Sequence, residues 1–509
     1  MRNRFQRINC VLNLLGHLLQ ILALVILVPV PLCAVFAGRY GDGPDTMLAF
    51  ATPAAISFSA GLLLRRFFRQ SRLDVASSMI LCVFAWVFSS IIGAIPFFLT
   101  GVAPDFFSAF FEAVSGFTTT GITMLSGLDS MPRSILLWRA LTQWCGGLGI
   151  LSFFLAVTFR AAGAHHIFGA ESHKTSSNRL APGLFSTLKI LWSIYIAFTI
   201  VSALLLYVAG MNVFDTLCHS LTSISTAGFS PHDANIAYYS TSGHTHYKRI
   251  EYALIVIMLF GSINFLVFYR LVCGEFRALW DNLEIKWWWL LLPAFCALTL
   301  LDRFQLYRMI EALLTDPASI DIPAAEESFR ETLFHTVSLF TTTGFTTTDI
   351  ADPRFGALSK QVFLVMMIIG GCAGSTSGGF KILRTAVLAK LTARELFHLR
   401  VSERAFSSLI VDGKVIPAEE IRRISSLFFC WMALLVVGGG VTALLSAHGP
   451  VESFSGMCSA LGNIGPCYIT PGEMIELNPA VKTVYIIGML AGRLEILPVL
   501  LLVCPKAWR

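Results

Sequence analysis

The chain has 509 residues, of which 55% are hydrophobic and only 13% charged, with a formal net charge of +6. A water-soluble domain carries about 25% charged residues, so a fully solvated surface is excluded, and so modest a basic excess is no nucleic-acid signature. Twelve cysteines without a CxxC pair exclude a disulfide framework or zinc site.

In chain order, Arg2, Arg4 and Arg7 precede an apolar run over 12–36. It exceeds the roughly 18 apolar residues that argue for a spanning helix. The run is too long for a signal peptide, and no small-x-small cleavage site follows. A second span over 46–64 ends in Arg65, Arg66, Arg69 and Arg72. Later apolar runs cover 79–100, 190–208, 253–272 and 427–445. Lys381, Arg384, Lys390, Arg394, Arg400 and Arg404 crowd one further junction, whereas the 38–45 loop is poorer in Lys and Arg. By the positive-inside rule both termini are cytoplasmic.

After the two opening spans (1–72), a unit recurs over 73–182, 183–283, 284–423 and 424–509. Each unit is a long apolar helix, a short amphipathic segment, a small-residue turn and a second long helix. The fold class predicted is an all-α membrane protein with four helix–pore-helix–helix repeats around a central ion pore. The count is ten spanning helices and four pore helices. Segments 127–133, 231–247 and 316–331 fall outside the membrane; 159–182 and the basic amphipathic run 390–423 fall in the cytoplasm.

The four turns centre on Thr119-Thr120-Gly121, Thr226-Ala227-Gly228, Thr342-Thr343-Gly344 and Asn463-Ile464-Gly465. Their glycines lie 107, 116 and 121 residues apart, the mark of a long internal repeat. A helix too short to span must bury its end in protein or water. A cation leaving water needs oxygens to replace its hydration shell, and backbone carbonyls supply them without fixed charge. Glycine permits the dihedrals that aim such carbonyls. Ile122, Phe229, Phe345 and Pro466 would point away and be held by packing. The competing reading is that small residues merely let helices pack closely.

The strings FFEAVSGFTTTGIT, STAGFSPHD, TTTGFTTTD and LGNIGP occur in this order. With them the whole chain resembles the Trk/Ktr/HKT superfamily of potassium transporters, in its TrkH-type branch. The resemblance implies that Gly121, Gly228, Gly344 and Gly465 line a potassium filter. Asn463-Ile464 departs from the threonines of the other turns, so ring symmetry is imperfect. The resemblance further implies a bacterial inner-membrane location, a homodimer, and a separate cytoplasmic nucleotide-binding subunit of the TrkA kind. Potassium is the transported ion and no cofactor is expected.

Five glycines in ten residues, with Gly370, Gly371, Gly374, Ser375, Gly378 and Gly379 in the run, cannot sustain a helix. They predict a flexible constriction below the filter, which the resemblance makes a gating loop; the alternative is a packing seam. Lys381 and Arg384 are expected to snorkel to the cytoplasm. Arg493 lies inside the last span and is a gate residue by default, or else a partner of Glu495. Glu112, His219 and His335, with Gly456 at the same offset, lie nine residues before the four glycines. They are read as interhelical hydrogen-bonding groups rather than ligands. Asp233 and Asp349 are candidates to attract cations. No Walker or GxGxxG motif and no convergent catalytic set appears. The reading is therefore gated potassium uptake down the electrochemical gradient. Symport with H+ or Na+ is the alternative, and a membrane enzyme the reading from another class.

Overall fold

A computed structural model describes residues 2–69, 75–149, 184–304, 322–400 and 408–504. The expected cytoplasmic segment 159–182 lies outside the described residues, as do Arg72, Arg404 and part of 316–331.

Among the described residues the regular structure is helical apart from a two-stranded hairpin, Ile410–Val411 with Lys414–Val415. Among the described residues, six helices are long and apolar enough to cross a membrane: Ile8–Val35, Pro44–Phe67, Ser77–Leu99, Ser186–Val208, Leu283–Arg303 and Ala418–Leu445. The first two open the chain, and the other four are the outer helices of the repeats. The run over 12–36 is not one rod: its regular part stops at Ile26 and resumes at Val30–Val35, with Pro29 and Pro31 at the joint.

Each outer helix is followed by a pore helix: Phe106–Phe117, Val213–Ile224, Ile322–Phe340 and Pro450–Gly462. Their starts are written in the sequence. Asp105 accepts from the Ser108 N–H at 2.8 Å, and Asn212 from the Asp215 N–H at 2.9 Å. Pro450 opens the fourth, where Glu452 accepts from the Gly449 N–H at 2.6 Å. The third has 19 residues, longer than the expected three to four turns.

The inner helices depart most from expectation, because three of them are interrupted within the described residues. The first, Arg133–Gly147, stops before Gly149, which has φ +81°. The second is split into Tyr247–Ser262 and Phe265–Val272, bent by 98°, where Asn264 turns its side chain onto the Leu266 N–H. The third breaks between Ala357–Ile369 and Ile382–His398. The fourth ends at Arg493, and Glu495 and Ile496 both adopt left-handed φ before Leu497–Val503. Among the described residues, the ten expected spans therefore comprise six long helices, three broken inner ones and a first inner helix described as far as Gly149.

Candidate ion pathway

The pore-helix ends are built alike. The residue two before each glycine has a positive φ: Thr119 57°, Thr226 49°, Thr342 56° and Asn463 52°. Its N–H and the next one bond back into the pore helix. Thr119 and Thr120 reach the Gly116 and Ser115 carbonyls; Thr226 and Ala227 reach Ser223 and Thr222. Thr342 and Thr343 reach Leu339 and Ser338; Asn463 and Ile464 reach Ala460 and Ser459. This is the Schellman closure of a helix, in which glycine is the usual left-handed residue. Here a threonine or asparagine bears that conformation, at roughly 1–2 kcal/mol.

The next left-handed residue is the glycine itself: φ is +84° at Gly121, +77° at Gly228, +80° at Gly344 and +106° at Gly465. The four glycines close a ring. A β-carbon on Gly121 would land on the Ala227 carbonyl oxygen, one on Gly228 on that of Thr343, and one on Gly344 on that of Ile464. One on Gly465 would come within 2.9 Å of the Thr120 carbonyl oxygen. Each main-chain oxygen before a glycine thus abuts the next glycine around the circle, and any side chain there would displace it. Of the following residues Ile122, Phe229 and Phe345 are buried as expected, whereas Pro466 is half-buried and lies against Gly344 of the ring. The Arg139 guanidinium lies 4.2 Å over the Phe229 ring.

The ring position nine residues upstream braces the turns. Glu112 accepts from the Met124 N–H at 2.7 Å and pairs with Arg139 at 2.8 Å. His219 spans the Asp215 carbonyl and the Ser230 hydroxyl at 2.9 and 3.2 Å. His335 lies between the Glu331 and Thr348 carbonyls at 2.8 and 2.9 Å. Tyr485 fills the space above Gly456. Among the described residues no cluster of three His, Cys, Asp or Glu side chains could hold a metal. Asp233 accepts from the Gly127 N–H and Asp349 from the Ala351 N–H, and both are exposed.

Beneath the ring lies the Gly-rich loop. Gly370, Gly374 and Gly379 have positive φ, so the run serves as a tight path rather than a helix. The loop is bonded to three pore-helix ends. The Gly378 N–H donates to the Thr342 hydroxyl at 2.7 Å, and the Gly379 N–H to the Gly462 carbonyl at 2.9 Å. The Thr376 hydroxyl reaches the Ile224 carbonyl at 3.0 Å and lies 3.2 Å from the Thr226 hydroxyl. The broken second inner helix is joined to it too, through Cys372 N–H to the Ser262 carbonyl and Phe265 N–H to the Gly374 carbonyl. Gly370 and Gly371 lie on the inner side of the loop, whereas Gly374 is exposed and Ser375 donates locally to the Cys372 carbonyl.

Arg493 completes the fourth side. Its guanidinium donates to the Thr119 hydroxyl at 3.1 Å and the Thr376 carbonyl at 2.9 Å. It also donates to the Gly146 and Gly147 carbonyls at 2.5 and 2.7 Å. A cation at a helix C-terminus meets unpaired carbonyls and the negative end of the dipole. Glu495 instead pairs with Arg384 at 2.7 Å. That corrects the expectation for Arg384, which is buried rather than snorkelling, and Lys381 likewise turns its ammonium onto the Ser377 carbonyl. Lys381 is thus tied to the loop and Arg384 to the break of the fourth inner helix.

Sequence reasoning brought all twelve turn residues and Arg493 to one place but missed Gln143, Arg139, Thr376 and Glu284. Arg139 and Gln143 are polar residues one turn apart inside an apolar helix, which is the signal that marks them. Glu284 accepts from the Ala373 N–H of the loop at 2.6 Å.

Comparison with known proteins follows this geometry. Residues 46–508 match the TrkH family, described as a cation transport protein. The Trk system potassium uptake protein TrkH of Vibrio parahaemolyticus is 31% identical, over 98% of this chain and 99% of its own. The TrkH protein of Escherichia coli K12 is 31% identical over 92% of this chain and 94% of its own. The crystal structure of the potassium transporter TrkH from Vibrio parahaemolyticus superposes with a TM-score of 0.82 at 27% identity, covering 99% of this chain and all of that one. With a ring of four glycine turns, two extra opening helices and a match over nearly its whole length, the chain belongs to the TrkH family of cation transport proteins.

Proposed function

We propose that the chain takes up potassium across a bacterial inner membrane, through a filter of main-chain oxygens at the four glycine turns, down the electrochemical gradient. The observation that carries this reading is the ring itself: each glycine touches the carbonyl oxygen of the neighbouring repeat. An ion on that axis exchanges its hydration shell for protein oxygens. The relatives named as potassium uptake proteins supply the identity of the ion. The membrane potential drives entry, worth about 2.3 kcal/mol per charge per 100 mV.

The Gly-rich loop and Arg493 form the gate. Support comes from their hydrogen bonds to all four pore-helix ends, which place a guanidinium and a buried loop under the ring. The partners follow the resemblance: a second copy of the chain and a separate nucleotide-binding subunit on the cytoplasmic side. A particle mass in detergent of about twice the 55.9 kDa chain tests the first.

The deciding experiment is flux through purified protein in liposomes, comparing potassium, rubidium and sodium. Selective potassium flux whose reversal potential follows the potassium gradient is expected. A reversal potential that moves with pH or sodium would favour coupled symport instead, and no cation flux at all would sink the reading.

A further inference from the structure

The four turns are not held in the same way. In repeats one and three, hydroxyls two residues apart pair with each other: Thr118 with Thr120 and Thr341 with Thr343, each at 2.7 Å. Repeats two and four lack the second hydroxyl, having Ala227 and Ile464 there. In both, a carboxamide bridges neighbouring elements. Asn463 donates to the Thr120 hydroxyl of repeat one at 2.9 Å and to the Met489 carbonyl at 3.0 Å.

Repeat two receives its carboxamide from outside. Gln143, on the inner helix of repeat one, donates to the Ala227 carbonyl at 2.7 Å and accepts from the Phe229 N–H at 3.0 Å. One side chain therefore grips the main chain on both sides of Gly228. Its two partners fix its orientation, since a carbonyl only accepts and an N–H only donates. Gln143 is fully buried. One turn earlier on the same helix, Arg139 covers Phe229 and donates to the Ser230 carbonyl at 2.8 Å. Asn235 reaches the Gly228 carbonyl from the outer side at 3.3 Å.

We infer that Gln143 is a positioning residue for ion selectivity. Its carboxamide stands in for the hydroxyl pair that repeat two lacks, and it sets where the Ala227 and Gly228 oxygens lie. The inference rests on reading the four turns as the filter. Where selection rests on cavity size, a site prefers potassium over the smaller sodium because its oxygens resist closing inward or splaying apart. Ala227 contributes a methyl group and Gly228 nothing, so a strand without Gln143 keeps at this level only the single Asn235 bond to the Gly228 carbonyl. A two-point grip opposes both sliding and twisting, which a single hydrogen bond does not.

The test is the potassium-to-sodium permeability ratio of the purified full-length protein in liposomes, read from reversal potentials. Gln143→Leu is expected to lower the ratio about tenfold, the scale of losing one buried hydrogen-bonding partner. Adding Ala227→Thr, which restores the hydroxyl pair with Ser225, is expected to recover most of it. Gln143→Glu keeps the length and the acceptor but removes the donor, and is expected to lose selectivity as well; it serves if the leucine variant does not assemble. A wild-type ratio in whichever of Gln143→Leu and Gln143→Glu assembles, or a loss that Ala227→Thr leaves uncorrected, overturns the inference. Gly121→Ser is run beside them. If it too leaves the ratio unchanged, the filter reading itself fails; if it alone changes the ratio, only the role of Gln143 falls.

Discussion

At the scale of single residues, the left-handed threonines explain why the turns are not simply glycine-rich. Glycine at Thr119, Thr226 or Thr342 would relieve strain, but their hydroxyls touch Arg493, Thr376 and Gly378. Strain is kept where a side chain has a task. Thr226→Val keeps the shape and loses the hydroxyl. Its unstimulated potassium flux in liposomes should rise about fivefold, the equivalent of roughly 1 kcal/mol for one net hydrogen bond. His232 gives a pH-dependent contact at the outer mouth. It lies between Asp129 and Asp215 at 2.5 and 2.9 Å, stacked on Tyr238, with Tyr239, Arg133 and Asp233 close by. Burial opposes its charge, but the hydrogen bonds and attraction of the two carboxylates outweigh that and raise its pKa. Burial likewise opposes the Asp215 charge, yet bonds from His232 and Tyr239 and the nearness of His219 hold it down at about 2. A raised histidine pKa stabilises the fold fully below the unfolded value of about 6.5 and stops doing so as pH climbs through the folded value. The Tm difference between wild type and His232→Gln should therefore be largest in mild acid and shrink in alkali. An unchanging difference across that range would refute it.

At the scale of elements, the interruption of an inner helix decides what lies under the ring. The Gly-rich loop is anchored from the side by Glu284, an almost fully buried carboxylate at the head of the third outer helix. Hydrogen bonds to charged acceptors are worth about 1.5–3 kcal/mol. Glu284→Gln should loosen the loop and raise unstimulated flux without altering the potassium-to-sodium ratio, and single-channel open probability measures this. Arg493→Ala should do the same more strongly, since four hydrogen bonds are lost. The third break was legible because five glycines in ten residues leave no helical alternative. The breaks of the second and fourth inner helices were not. Asn264 and the Glu495–Ile496 pair interrupt sequences whose hydropathy stays high, and hydropathy reports burial in lipid, not the continuity of a helix. The turns were legible because repetition exposes a motif that one copy would hide. Gln143 was not, because its partners are main-chain atoms 84 and 86 residues away.

At the scale of the whole molecule, charges buried between repeats join the quarters into one body. Arg330 on the third pore helix pairs with Glu251 on the second inner helix, both nearly inaccessible. Removing one partner of such a pair strands the other, at about 3–5 kcal/mol. Arg330→Met should lower the Tm in detergent markedly, and the double variant Arg330→Met/Glu251→Leu should regain most of the loss. If the double variant melts as low as the single one, the stranded charge is not the cause.

In the proposed gate the loop belongs to one quarter and Arg493 to another, so its barrier would be lopsided although the oxygens above it are arranged in a circle. Movement of two neighbouring segments would then suffice to clear the path, with no concerted widening of four equal parts. Current through one pore should then step between a single blocked and a single conducting level, without the graded sublevels expected of four independent leaves.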